Sequence, residues 1–145
     1  EAVAELNGRI AAAEAQTALL MTWGRRDGDA RNLVIFPDFP TMQTRLNQGY
    51  TGAAEAASMP DRPVHVIAVG EAWRRTYLRD PDGDFRNLYL NDGSHPSRSG
   101  TLLTAMTILR RTIAVDPRTL NQPEGWALDA ELVERLANDA RGEAP

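Results

Sequence analysis

The chain has 145 residues, 42% of them hydrophobic and 25% charged, with a net charge of −4; this is room for one domain with a real core and not for two typical ones. All 16 basic residues are arginine, at most paired, as in Arg25-Arg26, Arg74-Arg75 and Arg110-Arg111. This argues against nucleic-acid binding, which relies on clustered cations. The lack of cysteine removes disulfides, thiol catalysis and Cys-type zinc sites, and no apolar run is long enough to span a membrane.

Residues 2–16 carry a helical period, with Val3, Leu6, Ile10 and Ala13 on one face. Thr17 to Trp23 changes character. Its run Ala18-Leu19-Leu20-Met21 suits a strand buried on both faces, as in a parallel sheet. A long polar loop from Gly24 to Phe39 follows, interrupted by an apolar patch at Leu33 to Phe36. Thr41 to Ala57 reads as a second helix with Met42, Leu46, Gly49, Tyr50 and Ala53 together, its small residues Gly49, Gly52, Ala53 and Ala54 suited to close packing on a sheet. Val64 to Val69 is a second strand by its β-branched content, and His65 lies within it as a core or edge histidine. Glu71 to Leu78 reads as helix, with Glu71 favoured at its start by the helix dipole.

Asp80 to Asp84 has the composition of an acidic turn and lacks the glycine and glutamate positions of a calcium loop. Leu88-Tyr89-Leu90 is either a short strand or an approach to the next loop. From Ser97 to Ala114 the helical period returns, with Leu102, Met106, Leu109 and Ile113 in one stripe and Ser97 or Ser99 as cap. After a Pro- and Gly-bearing linker, Asp129 caps a final amphipathic helix with Leu132, Val133, Leu136, Ala137 and Ala140 on its apolar face. This alternation predicts an α/β layered fold with a parallel sheet. Two strands shelter neither their edges nor their faces, so the sheet is expected to be part of a larger one.

The segment Asn91-Asp92-Gly93-Ser94-His95-Pro96-Ser97 carries the chemistry. A carboxylate three residues before a histidine on a loop can fix the imidazole tautomer and stabilise the imidazolium, leaving the other ring nitrogen free to take a proton. Gly93 permits the sharp turn that so short a reach requires, and Pro96 keeps His95 extended. The same residues also compose an ordinary turn before a helix, with Asp92 or Ser97 as a cap. Trp23 and Arg25 follow the first strand, where α/β sheets gather ligands, and are candidate substrate-binding residues; a solvated loop with a packed tryptophan is the alternative.

Asp92-Gly93-Ser94-His95 before a helix resembles the last motif of the SGNH (GDSL-like) hydrolases. Met21-Thr22-Trp23-Gly24, Tyr50 and Val69-Gly70-Glu71-Ala72-Trp73 are similar to a bacterial branch of that family, and the likeness covers roughly residues 5–115. The resemblance implies a three-layer α/β/α, flavodoxin-like domain. Residues 1–115 would form its C-terminal part, and residues 116–145 a linker and terminal helix packed on it.

The implied activity is ester hydrolysis, with carbohydrate acyl groups or small esters as substrate and without metal or organic cofactor. His95 and Asp92 would be the catalytic pair. The family's Gly-Asp-Ser-like nucleophile motif and oxyanion-hole residues have no counterpart here, where the serines are Ser58, Ser94, Ser97 and Ser99. The nucleophile is therefore expected in an N-terminal portion of the same protein, outside this sequence. The rival expectation is a glycan- or small-molecule-binding module that kept the fold without a nucleophile. A secreted or periplasmic location would suit an esterase acting on polysaccharide.

Overall fold

The computed structural model describes residues 2–142. Glu1 and residues 143–145, the end of the 116–145 segment, lie outside the described residues. The elements run α1 (Ala2–Ala12), β1 (Thr17–Met21), α2 (Phe39–Ala57), β2 (Val64–Ala68), α3 (Val69–Arg79), α4 (Asp84–Asn87), α5 (Arg98–Ile113), a 3-10 turn (Pro117–Thr119) and α6 (Ala130–Arg141). β1 and β2 pair in parallel, with Thr17 opposite Val64 and Met21 opposite Ala68. Helix and parallel sheet thus alternate as the periodicities predict.

The boundaries differ from expectation where single residues override the periodicity. α1 stops at Ala12 rather than at residue 16, because Glu14 takes a left-handed φ of 58° and the Ala15 amide folds back to the Ile10 carbonyl. β1 ends at Met21, and Trp23 belongs to the loop beyond it. α2 starts two residues earlier than Thr41, since Asp38 accepts from the Thr41 amide at 2.8 Å and Pro40 suits the first turn. α3 begins at Val69 directly after β2, with no intervening loop. Leu88 to Leu90 is an approach segment rather than a strand, touching Pro96 through one isolated bridge at Tyr89.

The expected burial of β1 on both faces is not met. Thr17 and Met21 are buried, whereas Ala18 is exposed and Leu20 is 42% exposed, so one face is covered and the other stands open among the described residues. His65, opposite Ala18, is also exposed, which makes it an edge histidine. On α2 the close-packing role falls to Ala54 and Ala57; Gly49 and Gly52 face open space. Of the α5 stripe, Leu102 and Met106 are buried, Leu109 is half-buried and Ile113 is 64% exposed, while Leu103 beside the stripe is buried as well. Val34 is 98% exposed at the tip of the loop after β1, and of the apolar patch there Phe36 is half-buried, with the Arg45 guanidinium over its ring.

The main core lies between the helices. Val69, Ala72 and Trp73 of α3, Leu102, Leu103 and Met106 of α5, and Leu136, Ala137 and Ala140 of α6 form it together with Phe39, Phe85, Leu88 and Tyr89. The rings of Phe39, Tyr77, Phe85, Tyr89 and Trp73 meet mostly edge to face, the arrangement their quadrupoles favour. A smaller cluster joins Ala54, Ala57 and Val64 to Val3, Leu19 and Val66 under the sheet. There the buried Asn7 donates to the Ala57 and Arg62 carbonyls and accepts from the Thr17 hydroxyl, tying α1 to both strand starts.

α6 is fixed by charge as well as by its apolar face. Asp139, buried on α6, accepts from the Thr76 hydroxyl at 2.8 Å and from Arg79 at 2.7 Å. Arg79 reaches Asp84 at 2.6 Å, and Arg135 of α6 meets Asp84 with two nitrogens. The Arg135 fork, ahead of the Arg79 hydrogen bond, holds the Asp84 carboxyl below its usual range against the opposing effect of burial. The expected acidic turn is therefore a knot of ion pairs, with Asp80 accepting from the Gly83 and Asp84 amides. Removing one partner from such a knot strands the others. Asp139→Ala should lower unfolding free energy by roughly 2–3 kcal/mol in urea titration, and Arg9→Ala, in an exposed pair with Glu5, by under about 0.5 kcal/mol.

Candidate active site

The parallel pairing sends β1 and β2 out of the sheet on the same side, where ligands of α/β sheets gather. The chain leaving β1 meets the loop that carries Asp92 and His95 through three hydrogen bonds. The Trp23 indole donates to the Ser94 carbonyl at 3.2 Å. The Tyr89 hydroxyl donates to the Gly24 carbonyl at 2.7 Å, and the Arg26 amide donates to the Gly93 carbonyl at 2.9 Å. Behind them Trp23 lies flat on the buried Trp73, with ring centroids 4.3 Å apart and 2° between planes.

The loop closes on itself as a narrow turn. The Gly93 amide donates to the Leu90 carbonyl at 3.0 Å and the Leu90 amide to the His95 carbonyl at 2.8 Å. Gly93 has a φ of +64°, a conformation that favours glycine. Ser97 then caps α5: its oxygen accepts from the Gly100 amide at 3.3 Å, and its hydroxyl donates to the Asn87 carbonyl at 2.6 Å.

Within this frame Asp92 uses both carboxylate oxygens. Oδ1 accepts from the Ser94 and His95 amides at 2.9 Å each, and Oδ2 lies 2.6 Å from His95 Nδ1. The two expectations for the segment are thus compatible: Ser97 caps the helix, while Asp92 closes the turn before it and also holds the histidine. The hydrogen bond to the His95 ring, then those from the two amides, hold the Asp92 carboxyl far below its usual range. With Nδ1 facing a carboxylate, the proton belongs on Nδ1 and the lone pair on Nε2. The His95 side chain is 74% exposed and that of Asp92 48%, so Nε2 is accessible to a reacting group.

The structure brings Trp23 to the pair as a support under the loop, packed and hydrogen-bonded. Arg25 is turned back into its own loop, its guanidinium 2.9 Å from Asp29 and its amide against the Met42 sulfur. Arg26, paired with Asp27, is the arginine that touches the Asp92–His95 loop. Nothing in the sequence separates these neighbours, which the structure turns to different partners, Arg25 to Asp29 and the Arg26 amide to Gly93. Tyr89 was also not legible as a site residue, because its signal is that of a core aromatic. Burial pushes its hydroxyl strongly upward and keeps it a neutral donor. Among the described residues no cluster of histidine and carboxylate groups could hold a metal ion.

A depressed carboxyl stabilises the fold above its unfolded value of about 3.9, and that contribution disappears as pH falls through the lower folded value. Carboxyl ¹³C titration should therefore show Asp92 still ionised well below the ordinary aspartate value of about 3.9. In Asp92→Ala the Ser94 and His95 amides should lose protection from hydrogen exchange. An ordinary Asp92 midpoint would mean that the pair does not form in solution.

Comparison with protein-family models, with curated proteins and with solved structures finds no match for this chain.

Proposed function

We propose that this chain supplies the aspartate and histidine of a Ser-His-Asp triad in an SGNH-type carboxylic ester hydrolase, with acyl groups on carbohydrate or small esters as substrate class. The observation that carries the reading is the 2.6 Å approach of Asp92 Oδ2 to His95 Nδ1, on a loop at the carboxyl side of two parallel strands, with the rest of the ring open. In this reading His95 Nε2 takes the proton of a serine hydroxyl as its oxygen attacks the ester carbonyl. It then returns that proton to the departing alcohol, and water releases the acyl group by the same route in reverse. Asp92 holds the tautomer and stabilises the imidazolium that forms in each step.

The serine comes from an N-terminal portion of the same protein, and the complete domain is a three-layer α/β/α sheet of flavodoxin type. Support for more strands comes from β1, whose one open face and unpaired edge need cover. A binding module without a nucleophile is the second reading, and one observation favours it. The Ser58 and Ser97 hydroxyls are given to the Ala54 and Asn87 carbonyls, Ser99 is buried, and the ring of His95 bonds only to Asp92 among the described residues.

Labelling the protein with a fluorophosphonate and locating the adduct separates the two. The expected adduct lies on a serine outside residues 1–145, and His95→Ala should then lower kcat by about a thousandfold or more and Asp92→Asn by at least about a hundredfold. No adduct would leave the binding module, and near-normal ester turnover in His95→Ala would remove the Asp92–His95 pair from catalysis.

A further inference from the structure

A buried polar chain runs behind the junction between the β1 exit and the Asp92–His95 loop. Gln43, in the second turn of α2, is fully buried and accepts from the Gly24 amide through Oε1 at 2.9 Å. Its Nε2 donates to Asn47 Oδ1 at 2.8 Å, and Asn47 Nδ2 donates to Glu71 Oε1. Glu71 sits in the first turn of α3, partly exposed and 3.8 Å from Arg74.

The order of donors is forced. A backbone amide can only donate, so Gln43 must present its oxygen to Gly24, which turns its nitrogen to Asn47 and the Asn47 nitrogen to the carboxylate. Every bond in the chain therefore points at one negative charge, an arrangement in which each strengthens the next. Gly70 supplies the passage: a Cβ there would overlap both Gln43 Nε2 and the Thr22 carbonyl oxygen. A glutamine buried mid-helix loses favourable contact with water and is retained only where its bonds are satisfied. What these bonds hold is the one backbone unit, Gly24, whose carbonyl also receives the Tyr89 hydroxyl.

We infer that Gln43, Asn47 and Glu71 are positioning residues that fix the Asp92–His95 loop against the strand exit, the carboxylate of Glu71 acting through two amides on Gly24. The inference rests on the reading of Asp92 and His95 as a catalytic pair for its consequence in turnover, and on the junction geometry alone for its anchoring part. The pair itself closes within its own four residues. The relay governs where that pair stands.

Hydrogen exchange of the Trp23 indole and the Arg26 amide reads the junction directly in the full chain. Glu71→Ala and Gln43→Leu should speed both by about tenfold or more, with the Leu136 amide of α6 unchanged in Glu71→Ala. Glu71→Gln, which keeps an acceptor oxygen, should restore most of the protection, and Arg74→Ala should leave it untouched. In the protein carrying the serine, Glu71→Ala should lower kcat about tenfold with KM within twofold. Unchanged junction exchange in both Glu71→Ala and Gln43→Leu overturns the relay, as does a Glu71→Gln variant no better than Glu71→Ala. If His95→Ala has no effect on ester turnover while Glu71→Ala still loosens the junction, the esterase reading falls and the anchoring of the loop stands.

Discussion

Tyr89 gives its hydroxyl proton to the carbonyl of Gly24, at a point where the chain has just left the first strand and water is largely excluded. Two other bonds, from Trp23 and Arg26, reach the same loop, but they lie nearer the surface. Both partners of the tyrosine bond would be costly to bury alone, so the bond is maintained wherever the core is packed. Because Tyr89 also stands edge-on to Trp73 and Phe85, the packing of α3 and α4 is communicated to the Asp92–His95 loop through one ring. The site therefore stands on a helical core, and the short sheet sets only the side from which the chain arrives.

That division explains how the molecule balances two kinds of stabilisation. The aromatic and aliphatic core between α3, α5 and α6 is dry and holds the loop from beneath. The ion pairs of Arg79, Arg135, Asp84 and Asp139 lock α6 across its far side. Each arginine there meets a carboxylate at close range, which offsets the loss of hydration that burial imposes. The strands contribute direction more than cohesion, and one face of β1 is left to whatever covers it.

Much of this was legible in the residues. The helices declared themselves by apolar spacing and, for α5 and α6, by Ser97 and Asp129 before their first turns. The strands showed in β-branched and aliphatic runs, and the Asp92–His95 hydrogen bond in an aspartate three residues before a histidine. What stayed hidden depends on long-range partners. Leu20 reads as buried because a run of four apolar residues looks like a central strand, yet among the described residues it is 42% exposed. Gln43 and Tyr89 look like an ordinary helix polar residue and an ordinary core ring. Their importance comes from Gly24, 19 and 65 residues away in the chain. Arg25 and Arg26 differ in the partners that the fold brings to them, Asp29 and Gly93, which composition does not encode.

The four-residue closure of the Asp92 turn has a consequence for how such a chain can change over time. Both atoms that set the tautomer of His95 arrive with the histidine, in one stretch of sequence too short to be separated by insertion elsewhere. The chemical competence of the pair is thus inherited as a unit, while its aim is distributed over distant parts of the fold. A lineage can drift in sheet, helices and termini and still keep a well-formed aspartate–histidine pair.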